Sequence, residues 1–203
     1  MNIDPEQFQV IFWDFDGVLM DSNEIRDRGF EMVLKEYPKN QVEALMEFHR
    51  KNGGLSRYVK FRYFFEKLRG ESVSEAEIQY WADQFSEIML ENLKNRDLLI
   101  DKHIDFIRAL HRSIQMFIVS GSDQKELREI CKSTGISSYF NEILGSPTPK
   151  KKLVADILEK YRYESNDCVL IGDSINDYHA AIENGISFIG VGDPELVKLS
   201  TEN

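Results

Sequence analysis

The 203-residue chain reads as an α/β fold, a parallel sheet with helices on both faces, interrupted after its first strand by an all-helical insertion. Three observations predict this. From Met116 onward, short apolar runs alternate with helical stripes, the pattern of a parallel sheet. A first apolar run, Val10 to Trp13, stands far upstream of the others. Between them, residues 22–100 carry helical periodicity and no strand signal.

Each element follows from its own pattern. Val10-Ile11-Phe12-Trp13 is a buried strand. Phe30, Val33, Leu34 and Tyr37 share a helical face, and Pro38 is expected to stop that helix. Val42, Leu45, Met46 and His49 make a second stripe, followed by an Asn52-Gly53-Gly54 loop. Phe61, Phe64, Phe65 and Leu68 make a third, ended by Gly70. Ser74-Glu75-Ala76-Glu77 has the form of a capping box. It opens a helix burying Ile78, Trp81, Phe85, Ile88 and Met89. The remaining strands are Met116–Ser120, Glu142–Gly145, Cys168–Gly172 and Ser187–Val191. Helices over Asp123–Ser133, Lys151–Tyr161 and Asp177–Asn184 connect them.

The strand ends hold the chemistry, because ligands of such sheets bind at the carboxyl ends of strands. The first strand runs into Asp14-Phe15-Asp16-Gly17-Val18. Two carboxylates this close repel by roughly 4 kcal/mol at ~4 Å and an effective dielectric of ~20. A hard divalent cation, Mg²⁺ first, is the natural partner. The second segment, Val119-Ser120-Gly121-Ser122, ends a strand in a hydroxyl and a Gly at a helix start. Ser120 and the Gly121 N–H suit a phosphoryl oxygen. A plain helix cap at Ser122 or Asp123 explains the same residues. The third, Thr148-Pro149-Lys150-Lys151-Lys152, places lysines against the helix dipole, which points to a nearby anion. The fourth, Gly172-Asp173-Ser174-Ile175-Asn176-Asp177, ends a strand in one acid and opens a helix with another.

These four segments, in this order, resemble the motifs of the haloacid dehalogenase-like (HAD) superfamily. The whole chain is similar to its phosphoglycolate phosphatase and β-phosphoglucomutase branch. The resemblance implies a three-layer α/β/α, Rossmann-like core with strand order 5-4-1-2-3. Residues 1–21 and 101–203 would form that core, and 22–100 a helical cap. It implies a Mg²⁺-dependent phosphatase acting through a phosphoaspartate on a small phosphorylated metabolite, a sugar phosphate or phosphoglycolate-like. Asp14 would be the nucleophile and Asp16 the general acid and base. Asp14, Asp16 through its carbonyl, and Asp173 would hold the metal. Ser120, Gly121 and Lys150 would bind phosphate, with Lys151 as the alternative lysine. Asp177 would support Lys150 or the metal. The alternatives are a β-phosphoglucomutase-like phosphotransferase and a silent phosphate-binding or scaffold protein. Asp16 argues against a dehalogenase, which does not need the second acid.

Selectivity falls to the insertion. Arg57 suits bidentate contact with an anion distal to the scissile phosphate. Lys60 lies three residues on, on the same face if a helix begins near Ser56.

Composition excludes other classes. The formal net charge of −10 repels nucleic acid and anionic membrane. Cys131 and Cys168 lack metal-ligand spacing and read as reduced core residues of a cytoplasmic protein. The first residues show no signal peptide, and no apolar run approaches a membrane span. His49, His103, His111 and His179 form no cluster. A monomer or weak homodimer is expected.

Overall fold

The computed structural model describes residues 7–200. Five parallel strands form one sheet: β1 (Val10–Trp13), β2 (Gln115–Asp123), β3 (Glu142–Ser146), β4 (Cys168–Gly172) and β5 (Ser187–Gly190). Their order is β3-β2-β1-β4-β5, the expected order read from the other edge. β1 is central and fully buried, with Trp13 paired to Ile118 on one side and Ile171 on the other.

Between β1 and β2 lie α1 (Asn23–Val33), α2 (Lys39–Lys51), α3 (Arg57–Tyr63) and α4 (Glu75–Asn92), then α5 (Asp101–Leu110). The later helices are α6 (Gln124–Ser133), α7 (Lys150–Tyr161), α8 (Ile175–Glu183) and α9 (Pro194–Leu199). α3 runs on into a π-helical turn, Phe64–Leu68, so the Phe61–Leu68 stripe is one continuous rod. The capping box at Ser74 and Glu77 forms as its sequence predicts.

Two details differ from the expected pattern. α1 ends at Val33, and Pro38 instead precedes α2 as its N-cap. A proline lacks the N–H a helix interior needs but tolerates a helix start. β2 extends past Ser120 to Asp123, with its register to β3 shifted between Val119 and Asp123. That irregularity carries Ser120, Gly121 and Ser122 across the mouth of the sheet.

Alternation along each strand builds two cores. Val10, Phe12, Phe117, Val119 and Leu170 pack with Leu153, Val154 and Ala181 from α7 and α8. Ile11, Trp13, Ile118 and Ile171 belong to a second cluster. That cluster continues without a break into Phe30, Phe61, Phe85 and Met89 of the inserted helices. Hydrophobic burial therefore holds the insertion close to the strand ends. Among the described residues, no helix is long and apolar enough to cross a membrane.

Candidate active site

The carboxyl ends of β1, β2 and β4 open into a cavity of about 430 Å³, roofed by α1, α3 and the Gly53-Gly54 loop. Asp14, Asp16, Ser120, Gly121 and Asp173 line it, and so do Arg57 and Lys60. The first, second and fourth sequence motifs thus converge on one space.

Asp14 is buried at the end of β1. Lys150 Nζ lies 2.8 Å from its Oδ1 and also pairs with Asp177 Oδ1. Lys150 is itself buried, whereas Lys151 and Lys152 are exposed and pair with Glu183 and Asp156. Of the three lysines, it is Lys150 that reaches the acids. Burial alone would lower the Lys150 pKa, but Asp14 and Asp177 outweigh it and hold the ammonium charged.

Asp14, Asp173 and Asp177 offer carboxylate oxygens within 4.8 Å of one another. Burial, then Asp177, raise the Asp14 carboxyl well above its ordinary value, despite Lys150. The same two causes push Asp173 up to about 6. Three acids with one lysine make a site short of positive charge, which suits a hard cation. Asp177 is already committed: Lys150 takes one oxygen, and the other accepts from the Ser174 N–H and hydroxyl as a capping box. Of these three acids, Asp14 and Asp173 line the cavity. Gly17, at φ +72°, packs so closely that an added Cβ would overlap Asp173 Oδ2. Only glycine gives both that backbone angle and that approach.

The Asp16 carboxylate stands apart from this acidic cluster. Oδ1 accepts from Ser22 Oγ at 2.5 Å and pairs with Arg26 Nε at 2.5 Å, while Oδ2 accepts from Ser122 Oγ at 2.6 Å. Burial raises its pKa, but Arg26 and the two hydroxyls outweigh burial and leave it lowered. Asp123, not Ser122, caps α6. Ser120 Oγ accepts from the Ser122 N–H at 3.1 Å, which orders this turn. Gly121 lies against the Gly54 carbonyl, and a Cβ there would overlap it. Asn176 Nδ2 donates to the Gly53 carbonyl, pinning the same loop from the β4 side.

A family model for haloacid dehalogenase-like hydrolases matches residues 10–191. The chain belongs to that family. Among curated HAD relatives, a phosphoglycolate phosphatase from Haemophilus influenzae is 23% identical over 91% of this chain and 86% of its own. A 5'-nucleotidase from Pseudomonas aeruginosa is 24% identical over 90% and 81%. In fold, the chain is similar to the structure of a predicted phosphatase from Clostridium acetobutylicum, with TM-score 0.73 at 17% identity over 95% and 90%. β-Phosphoglucomutase from Clostridium difficile gives 0.72 at 16% over 95% and 88%.

Arg57 is not free in the way the sequence suggested. Its Nη1 lies 2.5 Å from Glu126 Oε2 and 2.7 Å from Ser86 Oγ, and its guanidinium stacks on Phe85 at 4.5 Å. Glu126, fully buried on α6, also takes Arg26 Nη1 at 2.8 Å. Sequence reasoning missed Arg26 and Glu126. Arg26 lies four residues after Ser22, one helical turn on, so both reach Asp16. Glu126 gave no signal, since an acid in the first turn of a helix reads as dipole complement.

Proposed function

We propose that this HAD-family chain is a Mg²⁺-dependent phosphatase that hydrolyses a small phosphorylated metabolite through a phosphoaspartate on Asp14. Residues 22–100 act as a cap over a core built from 1–21 and 101–203. The convergence of Asp14, Asp16, Ser120 and Asp173 on one cavity, with Lys150 paired to Asp14, carries this reading. Curated relatives named as phosphoglycolate phosphatase and phosphorylated carbohydrates phosphatase support it.

Asp14 attacks phosphorus in line, and the bond to the ester oxygen breaks. Asp16 gives that oxygen its proton. Asp16 then takes a proton from the water that releases phosphate from Asp14. Arg26, Ser22 and Ser122 hold it as the carboxylate, the form that takes the water's proton, and the acid step requires Asp16 to be protonated and turned from Arg26 toward the ester oxygen. Lys150, Ser120 and the Gly121 N–H hold phosphoryl oxygens. Asp14, Asp173 and the Asp16 carbonyl would hold Mg²⁺, which supplies charge neutralisation for the transferring group.

The test is phosphate release from phenyl phosphate and from a panel of phosphorylated metabolites, with and without Mg²⁺. Mg²⁺-dependent release is expected. No release from any ester at any metal concentration overturns the reading.

A further inference from the structure

Behind Asp16 the cavity wall carries more positive charge than it can pair. Arg26, Arg57 and Lys60 face two carboxylates, Asp16 and Glu126. Arg26 spans both, through Nε to Asp16 and Nη1 to Glu126. Arg57 takes the other oxygen of Glu126. Nearby Asp27 is occupied by His49 at 2.8 Å and Arg50 at 3.1 Å. Lys60 is left over. It is 4% exposed and lines the cavity. Among the described residues, no carboxylate reaches its Nζ, which sits 5.8 Å over the Phe30 ring. A second donor is also unused: Arg26 Nη2 is buried without an acceptor. Buried donors of this kind are normally satisfied, and an unpaired buried ammonium is costly.

We propose that Lys60 Nζ and Arg26 Nη2 form a receptor for a carboxylate carried on the substrate, a short spacer from the scissile phosphate. This rests on the phosphatase reading and assigns its substrate class. Charge favours a carboxylate over a second phosphate: one uncompensated positive charge matches one negative charge, and a dianion would leave an excess. Position sets the spacer. Arg26 is hydrogen-bonded to Asp16, two residues from the nucleophile, so an anion on Arg26 lies close to the reacting group. Arg57 serves as a strut, holding Glu126, which in turn holds Arg26 Nη1. Burial lowers Lys60 to about 7, the state of a lysine that lacks a counter-ion and regains one from a ligand.

Calorimetry in an Asp14→Asn background, with phosphoglycolate and phosphoglycolamide, tests the receptor. The carboxylate should bind at least tenfold tighter than the amide. Lys60→Met should bring that ratio close to one, and Lys60→Arg should keep most of it. Equal binding of the two ligands with Lys60 present overturns the proposal. So do a ratio unchanged by Lys60→Met and failure of phosphoglycolate to bind. Phosphate release from phenyl phosphate by the wild-type enzyme reads the phosphatase activity separately, so the two ideas fail independently.

Discussion

Lys150 Nζ sits between Asp14 and Asp177, 2.8 Å from Asp14 Oδ1, with every member of the trio buried. Removing one partner from such a set leaves an uncompensated charge, which typically costs ~3–5 kcal/mol. Lys150→Ala should therefore destabilise the metal-free protein and lower kcat/KM by at least about 10²-fold. Lys151→Ala removes an exposed pair worth roughly 0–1 kcal/mol. Steady-state kinetics and thermal melts on both variants check this. Equal effects would mean that the lysines share the role.

The two acids of the first motif should separate by kind of defect. Asp14→Asn replaces the proposed nucleophile with an amide and should abolish turnover. Asp16→Asn should leave ligand binding and slow turnover by about 10²–10⁴, the usual weight of general acid–base catalysis. A trapped phosphoenzyme should be detectable by mass spectrometry with Asp16→Asn and absent with Asp14→Asn. A phosphoenzyme in the Asp14→Asn variant would place the nucleophile elsewhere.

Metal binding and protons should compete. Asp173 is raised to about 6 by burial and Asp177, so its folded pKa lies above its unfolded one. Its charge then costs metal-free stability as pH rises through about 6, and that cost is absent below about 4. A cation removes the cost only where the carboxylate is ionised. At Mg²⁺ near 100 times Kd, Tm should rise by roughly 5–10 °C at pH 7.5. The rise should shrink markedly at pH 5. EDTA should reverse it and abolish activity. A Tm gain equal at both pH values would contradict the assignment of Asp14 and Asp173 as ligands.

How much of this was legible depends on where a residue sits. Asp14, Ser120 and Asp173 could be placed because each ends an apolar strand, and strand ends of a parallel sheet converge by topology. The sequence could not place Arg26, Glu126 or the fate of Arg57. A charge on a helix ordinarily marks its solvent face, and these three meet only after α1, α3 and α6 pack together. Ser122 shows the same limit. Its position fits a helix cap, yet the extra length of β2 hands the cap to Asp123 and aims the Ser122 hydroxyl at Asp16. Pro38 marked a helix boundary, but whether it ends one helix or opens the next depends on α2.

Gly121 links the sheet to the insertion by contact alone. Its missing Cβ makes room for the Gly54 carbonyl. Gly121→Ala should push the Gly53-Gly54 loop off the strand end while leaving Asp14 and Lys150 in place. Activity should fall by at least tenfold, with a Tm loss of only a few degrees, because this contact lies outside both apolar cores. Gly145→Ala tests a different contact, since its Cβ would strike the backbone of Ser122 and Gln124. If Gly121→Ala retains full activity, the loop need not approach the sheet during turnover.

Lys60 should reveal itself by making the protein less stable than it need be. Its pKa falls from 10.5 to about 7, chiefly through burial, with Arg26 and Arg57 adding to the drop and Asp16 and Asp27 opposing it. His49 faces it as well, and Lys60 in turn depresses that imidazole. Between about 7 and 10.5 the unfolded chain binds a proton at Lys60 that the folded chain does not, so stability climbs with pH across that window. At or below pH 7 the full cost of the buried ammonium is present, on the order of a few kcal/mol. Lys60→Met removes it while keeping an unbranched apolar stem of similar length. Tm at pH 7 should therefore rise by several degrees, and the gain should dwindle toward pH 10. Binding of a carboxylate-bearing ester should weaken in the same variant. A stabilising substitution that impairs function is the signature of a residue kept for its ligand. A purely structural lysine would instead lower Tm when replaced, and that result would remove Lys60 from the site.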